Sequence, residues 1–520
     1  MSVSSDPGGL SARAPAPETS SPTAAPTDDS QPVRLILAAV ASVLFLASLG
    51  QTIVTTALPI IVGDLHGLDH ITWVVTAYLL ASTVGAPICG KLGDLYGRKV
   101  VLQGAILVFL AGSVLAGLAQ SMGVMIAGRA VQGLAGGGLI VVAMATVADV
   151  LPPRERGKAQ GLLGAVFGVS TVVGPLLGGF LVQQLNWHWV FFVNLPVGLV
   201  ALAVLGAVLK SPATRVKHAI DYAGAALLTG VLSAAVLVAN LGGSAFAWSS
   251  PEVLGLIGAG ALALAGFVWI EARAAEPILP LPLFRINAFV VVNTVGFLVG
   301  SAMFGTITFL PLYLQVVQGL SPATSGMFLL PMMAGLIGSS ALAGRQMSAS
   351  GRYKRLPILS TGVLTVGMAL MATIGAATPL PLVAVYMVLV GLGIGPVLSV
   401  GVAAIQNAVP RETLGVATAS ANMFRLIGGS VGTAAFGALF AAGLSGRLAG
   451  LLPDSGTGLG ALTARAVAAM PEGTRGQVLD AFASALHPVF FVACGLAAVA
   501  CGLSLMLKEL PLATAQGNAR

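Results

Sequence analysis

Two arginines, Arg129 and Arg425, lie in the middle of long apolar runs, while the remaining basic residues sit at run edges or in loops. A guanidinium at bilayer depth costs about 2.5 to 3.5 kcal/mol on insertion scales, so one retained there has a structural or functional use. It must be surrounded by carbonyls, polar side chains or water. Two further patterns carry physical meaning through their spacing. The segment Gly90-Lys91-Leu92-Gly93-Asp94-Leu95-Tyr96-Gly97-Arg98-Lys99 sets an acid and several bases among turn-forming glycines. Such charges at neighbouring helix ends can latch one end against another through charge-assisted hydrogen bonds. Gly164, Gly168, Gly174-Pro175 and Gly178-Gly179 give one stretch two faces of small residues around a helix-bending proline. None of this is covalent chemistry. No catalytic set of acids and histidines faces one depth inside the apolar runs, Cys89, Cys494 and Cys501 lack metal-ligand spacing, and there is no GxxxxGK[ST] loop for a nucleotide. The residues suit clamping, gating and passing a solute, with no catalytic residue, metal or cofactor implied.

The elements that must position them are membrane spans. Hydrophobic residues make up 56% of the 520 positions and charged residues 8%, far below the roughly 25% charged residues of a soluble domain. Fourteen stretches are long enough to cross about 30 Å of hydrocarbon. They run at about 35–62, 71–89, 100–120, 122–148, 159–184, 188–209, 221–242, 252–272, 287–316, 324–344, 356–376, 381–405, 416–443 and 487–507. Lys91, Arg98 and Lys99, then Arg154, Arg156 and Lys158, then Lys210, Arg215 and Lys217, then Arg345, Arg352, Lys354 and Arg355 all fall on one face. The positive-inside rule makes that face cytoplasmic, and an even number of spans then puts both termini there. The net charge of +7 follows from this orientation, and no basic stripe with interleaved aromatics points to nucleic acid.

The chain divides into a disordered cytoplasmic tail (1–31), a first six-helix bundle (32–210), two inserted spans with a proline-rich linker (211–285), a second six-helix bundle (286–507) and a cytoplasmic tail (508–520). Within the second bundle, 444–486 is a long outer loop, in which 458–470 and 476–486 would form a short cap over the outer mouth. The Phe284-Arg285-Ile286 stretch either lies along the membrane surface and ties the halves together or is a plain linker. Two six-span bundles with an insert suggest a solute site at mid-membrane between halves that rock.

The 90–99 loop resembles the signature loop of the major facilitator superfamily, in which the acid and the following arginine, here Asp94 and Arg98 with Gly90 and Gly97, help hold the inward gate. Arg129-Ala130-Val131-Gln132-Gly133 resembles the fourth-span arginine motif of its exporters, which implies a place near the proton path. Gly174-Pro175 and Gly178-Gly179, preceded by Gly168, are similar to the motif that separates antiporters from symporters. Gln51 to Pro59, Trp187 to Pro196, Gln406 to Pro410, Gly351-Arg352-Tyr353-Lys354 and Arg425 to Gly429 further resemble the 14-span multidrug and antiseptic exporters driven by proton exchange. The resemblance implies a multi-pass transporter of the cell membrane, exporting hydrophobic or amphiphilic compounds by alternating access. A lipid or metabolite exporter on the same scaffold is the alternative, and an intramembrane enzyme the distant one.

The chain departs from that pattern at Gly50, where the family usually has aspartate, and at His188, where it usually has arginine. A midspan carboxylate could exchange its proton for a cationic substrate; glycine cannot. Either the coupling acid has been lost, or the substrates are neutral or anionic amphiphiles. Arg129, Asp64, Asp149 and His188 remain candidates for proton coupling, and His66, His70, His188 and His487 gather near the outer face. The substrate pocket is expected to include Gln51, Thr55, Trp73, Tyr78, Gln132, Met303, Phe304, Met332, Asn422 and Arg425.

Overall fold

The computed structural model describes residues 30–65, 71–209, 221–243, 246–448 and 470–512. Lipid cannot hydrogen-bond a backbone, so apolar runs of this length close their amide ladders internally as helices. The first half comprises α1 (Ser30–Thr52), α2 (Val54–Asp64), α3 (Ile71–Tyr96), α4 (Arg98–Gly117), α5 (Met122–Val150), α6 (Pro153–Gln184), α7 (Trp189–Phe192) and α8 (Asn194–Val208). An inserted hairpin, α9 (Tyr222–Leu241) and α10 (Pro251–Glu271), follows. The second half comprises α11 (Asn287–Val316), α12 (Pro322–Met327), α13 (Leu330–Ser350), α14 (Arg355–Met371), α15 (Leu380–Ala408), α16 (Leu414–Leu448) and α17 (Glu472–Leu505). Among the described residues 13 helical segments are long and apolar enough to cross a membrane, and α14 is a shorter apolar helix.

Packing sorts the helices into two bundles. In the first, α5 is the central helix, flanked by α3 and α4, with α1 against both α5 and α6. In the second, α15 lies between α13 and α14, and α11 packs on α16 and α17. The bundles meet where α6 faces α13 and α3 faces α16. The inserted α9 sits against α3 and α16, while α10 packs on α9. The second bundle has one continuous apolar core, whereas the core of the first is split in two, around Val43, Leu102 and Leu139 on one side and Ile53, Met125 and Phe191 on the other. Between these two cores, at the level of Gly50, lie the buried polar groups of Ser48, Ser113, Arg129 and Gln132.

Two sequence expectations change. Residues 476–486 are not part of a separate cap: they belong to α17, which starts directly after Pro471 and runs through Pro488. The fifth span begins at Pro153, one and a half turns before the expected 159, because its prolyl N1 position and Glu155 in the first turn favour a helix start there. The Leu281–Arg285 segment is a short 3-10 turn whose Leu283 is buried, with Phe284 edge-on to Phe289 at 5.2 Å. His66, Asp69, His70, the basic residues Lys210, Arg215 and Lys217, most of the two tails and 458–469 lie outside the described residues.

Candidate functional site

One end of the molecule carries the basic loops and is called here the basic end. There the glycine turn does its work: Gly97, at φ +88°, reverses the chain between α3 and α4 in a conformation that L side chains resist. The turn delivers Arg98 to two carboxylates, Nη2 donating to Asp94 at 2.6 Å and Nε to Asp149 at 2.8 Å. Asp94 reaches across to the other bundle, accepting from the backbone N–H of Gly415 at 2.8 Å and of Val416 at 3.0 Å. Those are unpaired donors of the first turn of α16, where a carboxylate is favoured by both hydrogen bonding and the helix dipole. Gly90 lies directly against the Gly415 carbonyl, so the two helix ends touch through bare backbone. Asp149, expected as a coupling candidate, serves Arg98.

The same end is closed on its other side. Arg154 donates to the carbonyls of Ser348 and Ala349, and Arg156 to that of Gln406. Gln160 donates to Gln406 Oε1 at 3.2 Å, and Gln406 donates to the Met144 carbonyl and to Thr418. Gln160 was not singled out from the sequence, although a glutamine inside an apolar span was a readable signal, and Arg156 was read there only as a basic-loop residue. Along α6 the glycines divide their work. Gly157, Gly161, Gly164 and Gly168 face α13, whereas Gly174 and Gly178 face Thr52, Ile53 and Thr56 of their own bundle. Thr52 and Thr56 donate to the carbonyls of Ser170 and Pro175, each at 3.2 Å, and Gly179 faces open space. The Gly-Pro motif therefore fixes α6 to α1 and α2, and the glycines before it form the seam with the other bundle.

Arg129 is 1% exposed, and its Nε and Nη1 donors are committed. Nε donates to the Val74 carbonyl at 3.2 Å, and Nη1 to the Gly50 carbonyl at 2.9 Å and to Gln132 Oε1 at 2.5 Å. The guanidinium stacks 4.2 Å from the Tyr78 ring, whose hydroxyl donates to the Ala47 carbonyl. Gln132 passes the chain on to Ser113 at 2.8 Å. Among the described residues no carboxylate joins this cluster. A Cβ at Gly50 would stand 2.5 Å from the Phe109 ring, so the phenyl group fills the space an acid would need.

Above the Gln160–Gln406 floor lies a cavity of about 60 Å³ between the bundles, bounded by α1, α5, α6, α11, α15 and α16. Its walls are apolar (Leu163, Phe167, Val397) and its polar groups include Asn422 and Arg425. Arg425 Nη2 donates to Asn422 Oδ1 at 2.5 Å, and the guanidinium lies 5.5 Å from the Phe167 ring. Further from the basic end, a cleft of about 410 Å³ is lined by α3, α9, α11 and α16, among them Thr83, Asn240 and Phe304. Of the ten expected pocket residues, Asn422 and Arg425 border the cavity and Phe304 borders the cleft. Tyr78 and Gln132 are spent on Arg129, Met303 and Met332 are core residues, and Thr55 is exposed with its hydroxyl on the Thr52 carbonyl. Gln51 and Trp73 are half-buried and border neither space. Asp64, exposed at the opposite end, accepts from Trp187 Nε1 at 2.8 Å. His188 and His487 each place one ring nitrogen on a carbonyl, of Gly117 and Ile374.

The family model of the Major Facilitator Superfamily matches residues 40–433. The chain belongs to the major facilitator superfamily. This facilitator is 42% identical over 484 residues to an uncharacterised MFS-type transporter of Mycobacterium tuberculosis, covering 92% of this chain and 70% of the relative. It is 38% identical over 423 residues to the multidrug transporter protein MdtP of Bacillus subtilis, covering 81% of this chain and 77% of that one. The solved structure of the proton:xylose symporter XylE shares the fold, with a TM-score of 0.57 at 13% identity over 90% of this chain and 95% of that one. The protein is thus a multi-pass membrane transporter with multidrug-efflux relatives, and not an enzyme.

Proposed function

We propose that the protein exports hydrophobic or amphiphilic compounds across the cell membrane by alternating access, with 14 spans and with the basic end and both termini in the cytoplasm. The observation that carries this reading is the position of the central cavity. It lies between the bundles, and the latch, the glutamine floor and the glycine seam close it at the basic end. A volume of about 60 Å³ holds about two waters and no drug-sized molecule, which needs roughly 300 Å³ or more. Loading therefore requires the basic end to part, and the cleft bordered by Thr83 and Phe304 supports a release route at the other end. In this reading Asp94 and Arg98 hold the closed gate and Arg129 braces the first bundle.

Efflux relatives and the Gly-Pro motif of α6 support export as the direction. Proton exchange, which the family resemblance implies, would need a titratable group in reach of the solute. Among the described residues neither a carboxylate nor a histidine borders the cavity or the cleft. The test uses cysteines placed singly at Gln160 and Ser430 in inside-out vesicles with membrane-permeant dyes. Dye should be concentrated in the lumen, and turnover should alternate the two cysteines' reactivity towards impermeant thiol reagents added from opposite sides. Simultaneous access from both sides would indicate a pore, and dye-independent reactivity would remove the alternating-access reading.

A further inference from the structure

We propose that the central cavity, once the basic end has parted and widened it, selects anionic amphiphiles, the acid head bound by the Arg425 guanidinium and the Asn422 amide N–H groups and the tail lying along Leu163, Phe167 and Val397. This rests on the exporter reading and names its substrate class.

The two buried arginines are used in opposite ways. Arg129 places three of its N–H groups, through Nε and Nη1, on the Val74 and Gly50 carbonyls and on Gln132. Arg425 makes one hydrogen bond among the described residues, to Asn422 Oδ1, and borders the cavity. That bond also fixes the amide: with Oδ1 turned to the guanidinium, Nδ2 must point away from it. Asn422 is 6% exposed and Nδ2 has no acceptor. A buried amide without its acceptor is costly, and here it stands beside a cation with N–H groups to spare. Both residues border one small space, and a positive charge with spare N–H groups beside an amide N–H lacking its acceptor is the donor set a receptor for an oxyanion needs.

The rest of the lining agrees. Among the described residues the cavity and the neighbouring cleft hold one formal charge between them, Arg425, and no acid. Asp94 and Asp149 are engaged with Arg98 at the basic end, and Asp64 with Trp187 at the other. A cationic solute would meet an uncompensated like charge in a low dielectric. The energy source follows without a coupling carboxylate. Moving a monovalent anion out of a compartment that is negative inside is favoured by about fiftyfold per 100 mV. Gly50 is then no defect, because the chain does not need a proton to displace its cargo.

The test uses the full-length protein in zwitterionic nanodiscs and three matched probes: pyrenebutanoate, its methyl ester and pyrenylbutyl-trimethylammonium. Binding is read against protein-free discs. The carboxylate should bind at least tenfold more tightly than the other two. Arg425→Gln should erase the difference, and the near-isosteric Asn422→Asp, which supplies a counter-ion without changing volume, should turn the preference toward the ammonium. Equal binding by the wild type, or preference for the ammonium, overturns the proposal, as does an unchanged preference in Asn422→Asp. In proteoliposomes carrying a potassium diffusion potential and no pH gradient, carboxylate movement should follow the sign of the potential. Ammonium or ester movement without carboxylate movement sinks the anion selectivity and leaves the exporter. Carboxylate binding with no transport of any probe leaves the selectivity and sinks the exporter.

Discussion

Placing an aspartate at position 50 would restore what the family pattern has there, yet the structure predicts that Gly50→Asp alone is destabilising. A Cβ at that position would meet the Phe109 ring at 2.5 Å, with Gln132 Nε2 at 3.4 Å. Ordinary carbon contacts begin near 3.4 Å, so the ring must retreat by almost an ångström inside a core where Phe109 is fully buried. Overpacking of this kind costs about 1 to 3 kcal/mol. The new carboxylate would lie near the guanidinium that already touches the Gly50 carbonyl, but desolvating a buried pair cancels most of its attraction. Phe109→Leu removes the clashing atoms and on its own loses buried surface, about 1 to 2 kcal/mol on the scale of large-to-small core changes. In the double variant the acid occupies the space the ring has left, so the two changes should be less damaging together than their sum, by about 1 to 3 kcal/mol. Thermal unfolding in detergent of wild type, both single variants and the double variant measures this coupling. Additivity within about 0.5 kcal/mol would refute the claim that Phe109 fills the acid's place. Any export assay of a restored acid belongs in the Phe109→Leu background, where misfolding does not mimic loss of coupling.

Asp94→Asn removes the charge that holds Arg98 and the first turn of α16, interactions worth about 1.5 to 3 kcal/mol each when charged; spin labels at Lys158 and Arg352 should then show the basic end opened in a larger share of molecules, and an unchanged distance distribution would count against the latch. Gly178→Ala should lower the unfolding temperature, since its methyl would strike the Ile53 carbonyl and lie 2.7 Å from Thr56 Oγ1, whereas Gly179→Ala, with nothing within 4 Å, should stay within about 0.5 kcal/mol of wild type. Gly161→Leu places bulk against the Ser340 carbonyl, 2.6 Å from its Cβ, and should open the seam without unfolding either bundle, read from the same label pair. Lys91→Ala breaks a partly exposed 2.8 Å ion pair to Glu276 and should change stability by at most about 1 kcal/mol, an effect that salt reduces.

Spans were legible because hydropathy is a local property, and so was the glycine turn at 90–99, whose acid and bases are close in sequence. The start of α17 was not: Pro471, Arg475 and Asp480 read as an outer loop, yet a polar surface is compatible with a helix that emerges from the apolar layer before it ends. The pocket was the least legible part. Tyr78, Gln132, Met303 and Met332 were reasonable choices by residue type, but a polar group inside a span first satisfies itself on its own bundle, and what borders a cavity is what is left over. Tyr78 found the Ala47 carbonyl and Gln132 found Ser113 and Arg129. Asn422 and Arg425 pair with each other and still have donors to offer. The Phe109 ring over Gly50 joins residues 59 positions apart, a distance at which one sequence gives no hint of contact.

The seam between α6 and α13 is made largely by residues that have no rotamers. Gly157 and Gly161 bring α6 onto the Gly344 and Ser340 backbone, with Met347 and Ile337 the side chains packed against the glycines, so few rotamers need to be ordered where the two helices meet. Under the proposed alternating access, a joint of this kind would act as a mechanical stop, setting the end of the swing and leaving the strength of the grip to the latch beside it.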